Sequence, residues 1–266
     1  PYFHQIANGV ESEASSAGYS VVLADTDRSV DKERRSIDAL LARQVDGLIL
    51  AGSGDEQDGH LAHLETSGVP IVVVGRYAID VPSVSVDNRE AARLGADHLI
   101  EEGCGRIAFI GGPRGYAVSK DRKEGYEAAL KSRGLPVHEA YAVDGDFTPA
   151  GGYEAFHRLA TSLKNASLPM PDGVLAANDQ MAIGLLKAAK ELALRVPEDL
   201  AVAGIGDIPT AVYVDPPLTT VSLPLKAMGK VAAKSLLALV KGERFPERRI
   251  LLDVHLMVRA SSRKRP

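Results

Sequence analysis

Val84-Ser85-Val86-Asp87-Asn88-Arg89-Glu90-Ala91-Ala92 is the stretch on which the reading of the fold turns. A short β-branched strand meets a helix start here. Asp87 stands three residues before Glu90, the spacing of a capping box. Ala91, Ala92, Gly95, Ala96 and Leu99 then form a small-residue face that can pack close to a sheet. Two βα-like units precede this point and several more follow it. It therefore reads as the first crossing between two lobes, with a ligand cleft expected between them.

Before the crossing, Phe3, Ile6, Ala7, Val10, Ala14 and Ala17 recur at helical spacing, and Gly18 ends the segment. Tyr19 to Ala24 reads as a buried strand. Helix is expected from about Val30 to Ala42, then strand over Gly47–Ala51. A further helix is expected near Gly59–Thr66, and strand over Pro70–Val74. Continuous apolar strands alternating with helices mean a parallel sheet covered on both faces.

After the crossing the rhythm restarts. Helices are expected over 88–101, near Ser119–Arg133, near Ala150–Ser162, from Asn178-Asp179 onward, and over Leu225–Val240. Strands are expected over Ile107–Ile110, Ala140–Val143, Gly173–Ala177, Leu200–Gly204 and Ile250–Val258. The tail Ser261-Ser262-Arg263-Lys264-Arg265 reads as basic and frayed.

Composition bounds the function. The chain has 266 residues, 45% hydrophobic and 25% charged, which is ordinary globular content. A formal net charge of -4 does not suit a polyanion binder. The one cysteine, Cys104, excludes an internal disulfide, fits a reducing compartment and reads as a small buried apolar residue. No apolar run approaches the roughly 18 residues needed to span a membrane. The opening Pro1-Tyr2-Phe3-His4 is neither a signal nor a transit peptide, so a cytoplasmic location is expected.

Several motifs, in order, resemble the effector-binding core of the LacI family of bacterial transcription regulators. These are Val84-Ser85-Val86-Asp87-Asn88, Leu99-Ile100-Glu101-Glu102-Gly103, Arg106-Ile107-Ala108-Phe109-Ile110-Gly111-Gly112 and Arg122-Lys123-Glu124-Gly125-Tyr126. Further on come Ala177-Asn178-Asp179-Gln180-Met181-Ala182, Val196-Pro197-Glu198-Asp199-Leu200-Ala201-Val202 and Pro217-Leu218-Thr219-Thr220-Val221. The resemblance implies the type I periplasmic-binding-protein-like fold: two doubly wound parallel-sheet α/β lobes joined by three crossovers. It places residues 1–86 plus 221–245 in one lobe and 87–220 plus 246–266 in the other. It also implies a homodimer, with Leu236, Leu237 and Val240 as a candidate apolar face that is equally well plain core. A family member carries a DNA-reading helix-turn-helix domain of about 60 residues ahead of such a core, and operator DNA is read through it. The family's first strand would also precede Pro1.

Clefts in such folds lie at the carboxyl ends of strands, where loops meet helix N-termini. Tyr2 and Phe3 occupy the family's aromatic contact position, although Phe3 is equally well a core staple. Ser53 follows a strand and offers a hydroxyl, or is a plain turn residue. Arg76 presents a guanidinium fork suited to a hydroxyl pair or a carboxylate. Arg122 falls where the family places an arginine that reaches into the cleft. Asp87 is at once a helix cap and a family cleft residue. Asp146-Phe147, after the strand at 140–143, is another candidate. Asn178 and Asp179 both cap a helix by sequence logic, with Asn178 nearer the expected cleft. After the strand at 200–204 the family has Gly-aromatic-Asp-Asp or Gly-aromatic-Asp-Asn, but here the order is Gly204-Ile205-Gly206-Asp207. Asp207 stands in for the missing acid, or the effector differs. Gly75 likewise occupies the position of a ligand acid in some relatives.

Enzymatic readings are poor. Gly111-Gly112-Pro113-Arg114-Gly115 lacks both the dinucleotide fingerprint and a phosphate-loop Lys-Ser/Thr. His60 and His63 have no third ligand nearby, and Cys104 has no evident His–Asn set. No cofactor and no metal are expected. The expected role is a non-enzymatic sensor that binds a small polar effector, a sugar before a nucleobase or small acid, and controls DNA binding. The alternative is a periplasmic sugar-binding protein of a transporter.

Overall fold

The computed structural model describes residues 2–27, 29–53, 61, 64, 67–77, 79–243 and 247–262, with the side chain of Ser53 left out. The chain divides into two compact units. One comprises residues 1–86 and 224–252, the other 87–223 and 253–266.

The first unit holds helices α1 (Tyr2–Ser16), α2 (Val30–Ala42) and α7 (Leu225–Val240). Its sheet contains β1 (Leu48–Ser53), β2 (Ile71–Arg76), β3 (Ser83–Val86) and β9 (Arg249–Leu252), side by side in that order and all parallel. Alternation sends Leu48, Leu50, Ile71 and Val73 to one face, where Ile37 of α2 packs with Leu61 and Leu64. On α7, Leu236 lies against Gly47, so part of the candidate dimer face packs within its own unit. Helices α1 and α7 touch backbone to backbone. A Cβ on Gly9 would stand 2.2 Å from the Lys226 carbonyl oxygen, and one on Gly229 would stand 2.1 Å from that of Ile6.

The second unit has a six-stranded sheet of order β10-β8-β7-β6-β4-β5. Its strands are β4 (Ile107–Gly111), β5 (Ala142–Asp144), β6 (Gly173–Ala176), β7 (Ala201–Gly206), β8 (Thr219–Ser222) and β10 (His255–Met257). Only β10 runs antiparallel, along β8. Every residue of β4, β6 and β7 is buried, as expected for strands covered on both faces. Helices α3 (Asn88–Glu101) and α4 (Ala117–Ser132) pack together as one layer. Helices α5 (Pro149–Asn165) and α6 (Asp179–Glu191) form the second.

Three expectations are corrected. Residues 19–24 form no strand, and Leu23 is 72% exposed. Ser-Val-Val-Leu-Ala has strand propensity, but the segment finds no ladder partner among the described strands, and propensity alone does not hold a strand. Ile250–Val258 is not one strand: β9 and β10 lie in different sheets, separated by Asp253-Val254. Residues 247–252 therefore belong with the first unit and 221–223 with the second. The tail is not frayed at Ser261 and Ser262, which are fully buried. Ser261 Oγ donates to the Val202 carbonyl at 2.7 Å and accepts from Thr219 N at 2.8 Å. Ser262 Oγ lies 2.7 Å from both His98 Nε2 and Thr219 Oγ1. Of the other expectations, most of the helix near Gly59–Thr66, His60, His63 and residues 263–265 lie outside the described residues.

The α1–α7 contact gives a direct test. Gly229→Val should lower the urea midpoint of the chain by the equivalent of about 1–3 kcal/mol, the scale of overpacking. An unchanged midpoint by circular dichroism would mean that the helices do not cross at the glycines.

Candidate functional site

In the second unit β4 through β8 run parallel, so their carboxyl ends share one edge, and α4, α5 and α6 begin there. Arg122, in α4, is the best-anchored residue of this edge. It is only 5% exposed. Its Nε donates to Asn88 Oδ1 at 2.9 Å and its Nη1 donates to the Ala177 carbonyl. One side chain thus ties the start of α3 to the end of β6. Gly125 makes this geometry possible, since a Cβ there would stand 2.1 Å from the Arg89 carbonyl oxygen. A bulkier residue would push α4 off α3 and pull Arg122 away from Asn88.

Asp87 caps α3. Its Oδ1 accepts from Arg89 N at 2.9 Å and Glu90 N at 3.0 Å. The expected capping box is only half made, because the Glu90 carboxylate turns to Arg93 at 2.6 and 2.7 Å. Asp146 Oδ1 accepts from Thr148 N at 2.8 Å and Thr148 Oγ1 at 2.7 Å, and Thr148 in turn caps α5. Asn178 caps α6 through Met181 N at 2.8 Å, while its Nδ2 donates to the Phe147 carbonyl at 3.0 Å. Phe147 adopts a φ of 67° and its ring closes against the backbone at Gly112.

Asp207 is committed elsewhere. Its Oδ1 accepts from Arg259 Nη2 at 2.6 Å, and the Arg259 Nη1 holds the Leu218 carbonyl at 2.8 Å. Beside it, Asp179 is 1% exposed. Its Oδ1 accepts from the Thr220 hydroxyl and its Oδ2 from Ile208 N at 2.9 Å. Burial, with a smaller push from the charge of Asp207, raises its pKa to about 6 against the pull of those hydrogen bonds. Gly206 has a φ of 142°, and a Cβ there would lie 3.3 Å from Asp179 Oδ2.

The first unit carries the other expected residues. Arg76 ends β2 exposed, in register with Ser53, whose side chain lies outside the described residues. Gly75 has a φ of 107°, and a Cβ on it would stand 2.0 Å from the Gly52 carbonyl oxygen. Tyr2 and Phe3 meet edge to face at 5.1 Å in the first turn of α1. Phe3 is 48% exposed, so it is not a core staple.

The second unit carries Arg122, Asp87, Asp146, Asn178 and Asp207, with Phe147 beside Asp146, and also Asn88, Asp179 and Arg259, which were not singled out as ligand residues. Asn88 and Asp179 each neighbour a residue that was. Arg259 had no sequence signal, because its partner lies 52 positions away. Among the described residues no group of three or more His, Cys, Asp or Glu is placed to hold a metal ion.

Residues 96–262 match the family of periplasmic binding protein-like domains. The repressor CytR of Escherichia coli K12 is 34% identical over 269 residues, covering 100% of this chain and 77% of CytR. The chain belongs to the LacI family of transcriptional regulators. The solved complex of the regulator CelR with cellobiose superposes on this LacI-family chain with a TM-score of 0.88. It has 34% identity and covers 98% of this chain and 79% of CelR. A LacI-family regulator from Enterococcus faecium with bound ribose gives a TM-score of 0.84. Here the identity is 26%, covering 98% of this chain and 94% of the other.

Asp179 sets a pH signature for this LacI-family core. Its folded pKa of about 6 lies above the ordinary 3.8. The fold therefore favours the protonated form, and this contribution is complete below about pH 4 and lost as pH rises through 6. Between those limits it amounts to at most about 3 kcal/mol. Asp179→Asn should flatten that part of the stability–pH curve relative to the parent. Parallel curves for the two proteins between pH 4 and 6.5, from urea midpoints, would refute the assignment.

Proposed function

We propose that this chain senses a small polar effector, a sugar or sugar derivative, and that it acts as the effector-binding and dimerising part of a cytoplasmic repressor. No catalysis is involved, and operator DNA is met through a helix-turn-helix domain like that of its relatives. The observation that carries this reading is the buried Arg122. It joins the strand edge where α/β folds hold ligands to the start of α3, the first residues after the passage from one unit to the other. The repressor relatives, and neighbours solved with cellobiose and ribose, support a sugar-responsive regulator over a transport protein.

We assign ligand contact to Arg122 and Asn178 in the second unit and to Tyr2, Phe3, Ser53 and Arg76 in the first. Asp87 and Asp146 shape the rim by fixing the starts of α3 and α5. Asp207 instead serves the chain through Arg259. An effector that grips Arg122 differently in two states shifts the balance between them by that difference in affinity and no more. The readout passes through Asn88 to α3.

A panel of sugars and sugar derivatives screened by thermal shift should contain a stabilising compound. At 100 times its dissociation constant the compound adds about 2.7 kcal/mol. Arg122→Lys retains the charge but cannot span Asn88 and Ala177, and should weaken that compound about tenfold or more. Undiminished affinity would remove Arg122 from the site. The 266-residue chain alone should give no sequence-specific gel shift.

A further inference from the structure

One buried polar group at this edge belongs to none of the networks described above. Ser119 lies in the first turn of α4, one helical turn before Arg122 and on the same face. It is 9% exposed. Its Oγ is buried and makes no hydrogen bond among the described residues. A hydroxyl in that condition has given up its bonds to water and received none in return, so a folded protein rarely keeps one without a use.

Gly112, just after β4, is the floor beneath it. A Cβ there would stand 2.5 Å from Ser119 Oγ and 2.1 Å from Cζ of Phe147. Ring and hydroxyl therefore crowd one point that only glycine leaves open. Phe147 reaches that point at a φ of 67°, in the left-handed region that is costly for a residue with a side chain. The turn is pinned on both sides. Asn178 Nδ2 donates to the Phe147 carbonyl at 3.0 Å, and Asp146 Oδ1 accepts from Thr148 N and Oγ1 at 2.8 and 2.7 Å. A strained and pinned backbone thus parks beside the hydroxyl a ring that gives it at most a weak bond. The ring can swing about its side-chain torsions without breaking any of these backbone bonds. We propose that Ser119 is a specificity contact for the effector: an effector hydroxyl displaces the tip of the Phe147 ring at Gly112 and hydrogen-bonds Ser119 Oγ. A sugar hydroxyl suits the place because it donates or accepts, as serine does. A sugar lacking that hydroxyl leaves Ser119 unpaired and is rejected for that reason. The inference rests on the reading that this edge holds the effector.

The test is calorimetric titration of the full chain with D-ribose, D-glucose and the singly deoxygenated forms of each. For the sugar that binds, one deoxy form should bind about tenfold more weakly, the worth of one buried hydrogen bond. In Ser119→Ala the full sugar should weaken by about that factor, and the gap between it and that deoxy form should close. The ligand-free urea midpoint of Ser119→Ala should be unchanged or higher, because no protein group loses a partner. With para-fluorophenylalanine installed at position 147, the fluorine resonance should move as the sugar saturates the chain. A gap that persists in Ser119→Ala, a midpoint lowered by that substitution, or a fluorine resonance unmoved at saturation overturns the inference and leaves the sensor reading standing. So does an unsubstituted chain that binds every deoxy form as tightly as the full sugar. Failure of both sugars to bind also overturns the inference, and the wider panel of sugars and sugar derivatives then decides the sensor reading by itself.

Discussion

The buried guanidinium of Arg122 is the constraint on which the carboxyl edge of the second unit's sheet depends. A cation almost removed from water must be met by acceptors, or its burial costs several kcal/mol. Two of those acceptors are a side-chain amide at the start of α3 and a main-chain carbonyl at the end of β6. Because both are fixed in the backbone or beside a helix cap, the arginine does more than fill space. It fixes where α3 begins relative to the sheet. Asp87 reinforces the same point from the other side by capping the helix that Asn88 opens.

A second polar network holds the opposite part of this edge. Asp179 would not remain buried without the Thr220 hydroxyl and the Ile208 amide, and those two bonds in turn set the path of the loop that carries Asp207. Arg259 closes the loop onto the tail. From there the chain of hydroxyls through Thr219 and Ser262 reaches His98 on α3. The same helix is thus gripped at its start by Arg122 and near its end by the carboxyl-terminal segment. Satisfied buried networks of this kind favour one arrangement of the elements they join, since a broken member leaves its partner unpaired.

Some of this was legible in the sequence. The span of α3 follows from the cap at Asp87 and the small apolar face behind it, because capping and periodicity are local signals. Asn178 was found for the same reason. What was not legible is non-local. Arg259 and Asp207, or Ser262 and His98, meet only once the sheet is assembled, and a serine-rich tail reads as solvent-loving until Val202 and Thr219 are seen to need its hydroxyls. The strand expected at Tyr19–Ala24 failed on the converse ground: its propensity was right and its pairing was missing. The division of Ile250–Val258 between two sheets was equally hidden, since both halves have strand character and only tertiary pairing separates them.

The glycines show why each unit can act as a body. Gly9 and Gly229 bring α1 and α7 into backbone contact, and Gly125 does so for α4 and α3. Contacts at that range leave little room for helices to slide, because every small shift meets a carbonyl rather than a flexible side chain. The chain passes from one unit to the other after Val86, Leu223 and Leu252. The first of these runs directly into Asp87 and Asn88, the second opens on Pro224, and the third separates two short strands that pair with different sheets. The first is joined by a hydrogen-bonded side chain, Arg122, to the carboxyl edge of the second unit's sheet, so a change at that edge reaches the start of α3 through Asn88.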